Sequence, residues 1–225
     1  MQTSVNPGFL SRLAAFGMMG GFLMLFGDMC FYLRPISGAD FIDNALMNTV
    51  PTDRLIIGGV VGPLAGLLYA LGSMMYYLAF RDHNRLLARM VTTLFVVMFV
   101  IGGTYHAIYT TYGFVGNGDI YYTAERIGGL IAALQKVSFV AGVSGSVLFI
   151  YMVLRYKTIF PKWIIIFTPT FWTLLNGPIA PYIPYPAGAV IIGGWINLCF
   201  IAFFGLCYVV FAREVKRQVE RKANN

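Results

Sequence analysis

Two ionisable side chains of complementary type interrupt otherwise apolar stretches of this chain. Asp28 breaks the run from Leu13 to Leu33, and His106 is the one ionisable group besides tyrosines between Met90 and Tyr112. A carboxylate and an imidazole can hydrogen-bond, pair as ions, or work as proton donor and acceptor. Two carboxamides, Asn176 and Asn197, stand in later apolar runs, and Tyr32, Tyr105 and Tyr109 lie within about one turn of the ionisable pair. Such a set can orient a small polar group in apolar surroundings.

Other chemistries are poorly provided for. Catalytic zinc sites take three protein ligands. The second of the two histidines, His83, sits in the basic stretch Arg81–Arg89, so no metal site is expected. Gly142-Val143-Ser144-Gly145 does not follow the nucleophile-elbow pattern. No phosphate-binding or dinucleotide glycine loop occurs, and no cofactor is expected. Asp40, Asp43 and Asn44 lack the calcium-loop ligand series and read as part of a solvated loop. The catalytic candidates reduce to Asp28 and His106.

The elements that must carry these groups follow from composition. The chain has 225 residues, of which 58% are hydrophobic and 11% charged. Soluble domains run near roughly 45–50% and about 25%. So few charges cannot cover a water-facing surface, and the same figures exclude disorder, coiled coil and a disulfide scaffold. An all-α polytopic membrane bundle is expected. A crossing takes about 20 mostly apolar residues. Six runs qualify: Leu13–Leu33, Leu55–Phe80, Met90–Tyr112, Val137–Leu154, Trp163–Tyr182 and Ala187–Phe211. Ile120–Lys136 reads as an interfacial segment or a helix extension, with a seventh tilted element as the competing topology. The bundle is taken as one domain over 1–212, and 213–225 as a basic tail.

Lysine and arginine orient the bundle, because cytoplasmic loops retain them. With the N-terminus inside, the inner segments hold 12 of the 16 basic residues, and Arg34, Arg54, Arg126 and Lys136 lie outside. Both termini are therefore expected in the cytoplasm. The net charge of +7 then belongs to short loops and a tail facing anionic headgroups. Nucleic acid is not an expected partner; membrane lipids are. The first span, with no small-x-small site behind it, reads as retained rather than as a removable signal. Cys30, Cys199 and Cys207 fall inside spans as small hydrophobes, and no disulfide is expected.

Helices in lipid associate through close backbone contact and polar links. Gly58, Gly62 and Gly66 repeat every four residues along the second span and read as a packing face. Pro169 and Pro178 each remove a helix hydrogen bond, so Asn176-Gly177-Pro178 should open the fifth span in its outer half. No internal repeat supports an inverted-repeat transporter. Counting from the outer ends at 1.5 Å per residue puts Asp28, His106 and Asn176 about 7–9 Å deep and Asn197 about 15 Å deep. Polarity is one-sided, and an outward-facing pocket is expected where these groups meet, with the first outer loop (Asp40, Asp43 and Asp53) as a lid.

Several strings occur together: Gly27-Asp28-Met29 with Phe31-Tyr32, Pro51 with Arg54-Leu55, Gly58-Gly59 and Gly62-Pro63, Tyr105-His106-Ala107, Phe160-Pro161-Lys162-Trp163, Pro184, Pro186 and Asn197. In this the chain resembles a group of uncharacterised bacterial multi-span membrane proteins classed only as a domain of unknown function. The resemblance implies an integral membrane fold in the bacterial inner membrane and supplies no activity.

Three functions fit. The first is a sensor or transporter-like protein binding a small amphipathic or lipid-like molecule through Asp28, Tyr32, Tyr105, His106, Tyr109, Asn176 and Asn197. The second is a membrane-embedded enzyme using Asp28 and His106 as an acid/base pair. The third is an assembly protein without a ligand, in which Asp28 and His106 tie two helices together.

Overall fold

The computed structural model describes residues 6–33, 44–115 and 120–224, with backbone alone at 44–46 and 120–126. Arg34, Asp40 and Asp43 lie outside the described residues. Nine α-helices are described: α1 (Pro7–Tyr32), α2 (Thr52–Phe80), α3 (Arg85–Tyr109), α4 (Thr111–Phe114), α5 (Ile120–Arg155), α6 (Pro169–Thr173), α7 (Asn176–Ile179), α8 (Ala187–Ile191) and α9 (Trp195–Ala223). Three 3-10 turns intervene, at Asn44–Thr49, Lys162–Phe167 and Ala180–Tyr182. No strand occurs among the described residues. The fold is an all-α bundle. Five of its helices are long and apolar enough to cross a membrane, and a bent pair could make a sixth crossing.

Local chemistry sets the helix ends. The Asn6 carboxamide accepts from the Gly8 N–H at 2.9 Å, with Pro7 in the first turn of α1. Asn84 caps α3 in the same way through the Leu87 N–H at 3.0 Å. The far end of α1 is closed from another helix. Arg54, in the first turn of α2, donates from Nη2 to the Met29 carbonyl at 2.6 Å and to the Leu33 carbonyl at 2.8 Å. A cation on the last carbonyls of a helix satisfies exposed acceptors and opposes the dipole.

The long helices pack side by side in the order α9, α1, α2, α3, α5. Glycines permit the close approaches. A Cβ on Gly72 of α2 would lie 2.6 Å from the Gly17 Cα of α1. One on Gly103 of α3 would lie 2.8 Å from the Gly62 carbonyl of α2. Toward the end bearing Arg81 and Arg155, interlocked aromatic rings fill the core. Phe149 meets Phe160 edge-on at 5.3 Å, Phe160 lies 5.3 Å from Phe211, and Tyr76 stacks on Phe95 at 4.7 Å. Cys30, Cys199 and Cys207 are free thiols.

The fourth apolar region is one uninterrupted 36-residue helix, α5, so Ile120–Lys136 and Val137–Leu154 share an axis. The fifth, over 163–182, is not one continuous helix. It is a 3-10 turn followed by α6, then a 70° bend, then α7 and another 3-10 turn. Pro161, Pro169, Pro178 and Pro181 lack N–H donors, so no continuous ladder can form across it. The sixth region is also divided: α8 ends at Ile191, and α9 begins at Trp195 after Gly193-Gly194. The turn Lys162–Phe167 and α6 touch both α5 and α9, the two ends of the row, and α8 packs on α1 and α9. Between α1 and α2, the described turn Asn44–Thr49 packs on α4, and Met47 is buried.

Candidate functional site

The site is a directed chain of hydrogen bonds linking four helices. The Tyr69 hydroxyl of α2 donates to Asn197 Oδ1 of α9 at 3.0 Å. Asn197 Nδ2 donates to Asp28 Oδ2 of α1 at 2.7 Å. His106 Nε2 of α3 stands 3.2 Å from Asp28 Oδ1. All four side chains are buried. A phenol hydroxyl that donates leaves the amide oxygen to receive it, and the amide nitrogen must then face the carboxyl group. With the imidazole N–H as the other donor, both Asp28 oxygens are acceptors. Asn197 lies in the first turn of α9, so the carboxylate bonded to it stands at the positive end of that helix.

The position of His106 is prepared by what its neighbours lack. A Cβ on Gly62 would lie 2.8 Å from His106 Nδ1, and one on Gly27 would lie 2.9 Å from His106 Cε1. Phe31 stacks on the imidazole with centroids 4.8 Å apart and 27° between planes. Nδ1 is buried against α2 without a hydrogen-bond partner. That orphan atom is best tolerated as a bare acceptor, which assigns the proton to Nε2.

Beside the chain of bonds lies a cavity of about 280 Å³. Asp28, Tyr69, Tyr105, His106 and Asn197 all line it. Met24, Met98, Phe99, Phe139, Ile196 and Phe200 supply apolar wall, and Gln135, Ser138, Thr170 and Thr173 add polar positions. The side-chain hydroxyls among these are largely spent locally. Ser138 donates to the Met98 carbonyl at 3.0 Å, and Thr173 to the Pro169 carbonyl at 3.0 Å. The α6 wall is pinned to α5 by Ser146 and Thr170, whose hydroxyls meet at 2.6 Å.

Of the residues singled out from sequence, Asp28, Tyr105, His106 and Asn197 share this cavity, and Tyr32, Tyr109 and Asn176 do not line it. Tyr109 is buried in a cluster with Phe31, Met47 and Leu55 above the site, and Tyr32 packs on its edge. Asn176 sits beyond the 70° bend and donates from Nδ2 to the Ile192 carbonyl at 3.2 Å. The bend carries its side chain to the α8–α9 junction instead of the chamber. Tyr69 is the member that sequence reasoning overlooked. Its signal was a phenol in mid-span, where a buried hydroxyl needs a partner.

The chemistry available is hydrogen bonding and charge. No group of three or more His, Cys, Asp or Glu residues able to hold a metal ion occurs among the described residues. Neither the curated proteins nor the solved structures contain a match to this chain. A family model does match, over residues 6–214, which takes in α1 to α8, most of α9 and the whole hydrogen-bond chain. The chain therefore belongs to a family of unknown function, DUF6796.

Proposed function

We propose that this is a multi-pass protein of the bacterial cytoplasmic membrane, with both termini in the cytoplasm, whose chamber takes up a small amphipathic or lipid-like molecule. The role is that of a sensor or transporter-like binding protein. Outward faces of the helices are apolar: Phe16, Met19, Phe22 and Phe26 on α1, and Val60, Leu64, Leu67 and Leu71 on α2, are all exposed. Lipid is the solvent that such faces suit.

One observation carries the binding reading: a buried carboxylate, held at both oxygens, borders an apolar cavity instead of dense packing. A tie between helices needs no cavity beside it. At about 280 Å³ the chamber falls just under the roughly 300–1,000 Å³ of small-molecule sites, which suits one small amphiphile. The acid/base rival has less support. Nε2 of His106 is committed to Asp28 and Nδ1 is closed against α2, so the ring has no free nitrogen to offer a substrate.

Native mass spectrometry of the gently solubilised protein tests this. A small-molecule adduct is expected on the wild type and lost in Gly102→Leu. Gly102 lines the chamber, and a Cβ there meets only Ser138 Oγ at 3.6 Å, so the larger side chain occupies ligand space. Equal mass spectra, with no adduct in either protein, would defeat the binding reading.

A further inference from the structure

We propose that the chamber's ligand is an organic cation, an amine or quaternary-ammonium amphiphile whose charged end sits by Asp28 and the aromatic walls. This rests on the reading of the chamber as a binding site and names the class of molecule it takes.

The charge of the chamber follows from the direction of its hydrogen bonds. Tyr69 donates to Asn197, Asn197 donates to Asp28, and His106 meets the other Asp28 oxygen. A carboxyl group met by a donor at each oxygen is held as an acceptor, the arrangement that suits its ionised form. His106 is poorly placed to carry the compensating charge. A second ring proton would sit on Nδ1, which is buried without an acceptor against the backbone side of Gly62. Burying an unpaired N–H is costly, which sets the packing around Nδ1 against a second ring proton. No lysine or arginine lines the cavity among the described residues. Arg54, near the same end of α1, is spent on the carbonyls of Met29 and Leu33.

The chamber thus presents one carboxyl group, met at both oxygens and set by the N-terminus of α9, and no basic side chain to match it. A buried charge without a counter-ion is disfavoured, and a cation entering the chamber relieves that penalty. The remaining lone pairs of Asp28 give an ammonium group somewhere to donate. The walls suit the same class. Tyr69, Phe99, Tyr105, Phe139 and Phe200 surround the space, and aromatic faces attract desolvated cations, quaternary ammonium above all. An anionic headgroup would meet repulsion from Asp28, and a neutral alcohol would leave its charge uncompensated.

Binding measured by thermal unfolding in dodecyl maltoside tests this, with decyltrimethylammonium, decyl sulfate and decanol as probes. Decyltrimethylammonium is expected to raise the wild-type Tm saturably, and decyl sulfate and decanol are not. Asp28→Asn should weaken the cation by about tenfold or more, and Phe139→Leu by a few-fold, consistent with one ion pair and one cation–π contact. Phe139 is half exposed, so its variant keeps the comparison alive if Asp28→Asn does not fold. Two results overturn the proposal in different ways. Binding of decanol or decyl sulfate that Gly102→Leu abolishes and Asp28→Asn leaves intact would keep the chamber as a site and discard the cation. Absence of Gly102-dependent binding for all three probes would discard the chamber itself.

Discussion

His106 stands where Gly62 has no side chain. Its Cβ and Nδ1 both lie within 2.8 Å of the place a methyl group on Gly62 would occupy. The site and the helix packing are therefore one arrangement. The missing side chain that brings α2 against α3 also leaves room for the imidazole that reaches Asp28.

Gly62→Ala should push His106 away from Asp28 and lower stability by about 1–3 kcal/mol, the usual cost of overpacking. Gly102→Ala, on the next helix and meeting only Ser138 Oγ at an ordinary 3.6 Å, should stay within about 0.5 kcal/mol of wild type. Thermal unfolding of both in the same detergent checks the contrast. Equal losses would mean that the close approach at Gly62 is not what holds the pair.

Asn197→Leu removes the link between Tyr69 and Asp28 and leaves two buried polar groups short of a partner. A loss of about 1–3 kcal/mol is expected. Tyr69→Phe should cost less once Asn197 is already Leu, giving a coupling of about 0.5–3 kcal/mol in a double-mutant cycle. Strict additivity would show that the phenol and the amide act independently.

Arg54→Met should leave the fold intact but release the end of α1, at a cost of about 0.3–2 kcal/mol. Hydrogen exchange should quicken in the last turn of α1, near Cys30–Leu33, and Arg54→Lys should restore part of the protection. Unchanged exchange there would show that the two carbonyls find water equally well.

The orientation of the bundle can be read by thiol labelling. With the three native cysteines replaced, His83→Cys and Lys157→Cys should react with an impermeant maleimide only after permeabilisation, and Thr52→Cys should react in intact cells. The reverse pattern would invert the bundle, because basic loops favour the cytoplasmic side.

The pairing of Asp28 with His106 was legible because helices of regular rise convert sequence position into depth, and both residues stand on unbroken helices. The same counting misplaced Asn176, since a 70° bend lies between it and the start of its segment. For Asn197 the count ran from Ala187 through a helix that in fact restarts at Trp195. That residue reaches Asp28 from a first turn, not from mid-helix. Tyr69 was hidden among glycines, where periodicity reports packing and says nothing of a hydroxyl. A pocket was expected where these groups meet, but its walls and volume could not be read: they arise from which side chains fail to meet, and no pattern along the sequence encodes that.

The stretch from Lys162 to Tyr182 is the least knitted part of the enclosure. Its 3-10 turns and four- or five-residue helices make few repeating backbone bonds, and it is stitched to its surroundings by single contacts: Thr170 to Ser146, Asn176 to Ile192, and the Trp195 indole to the Trp172 carbonyl at 2.7 Å. Local opening takes the least free energy where cooperative backbone bonding is sparse. The bundle therefore loosens first at this patchwork panel, whose few rivets can let go one at a time while the five long staves stay put.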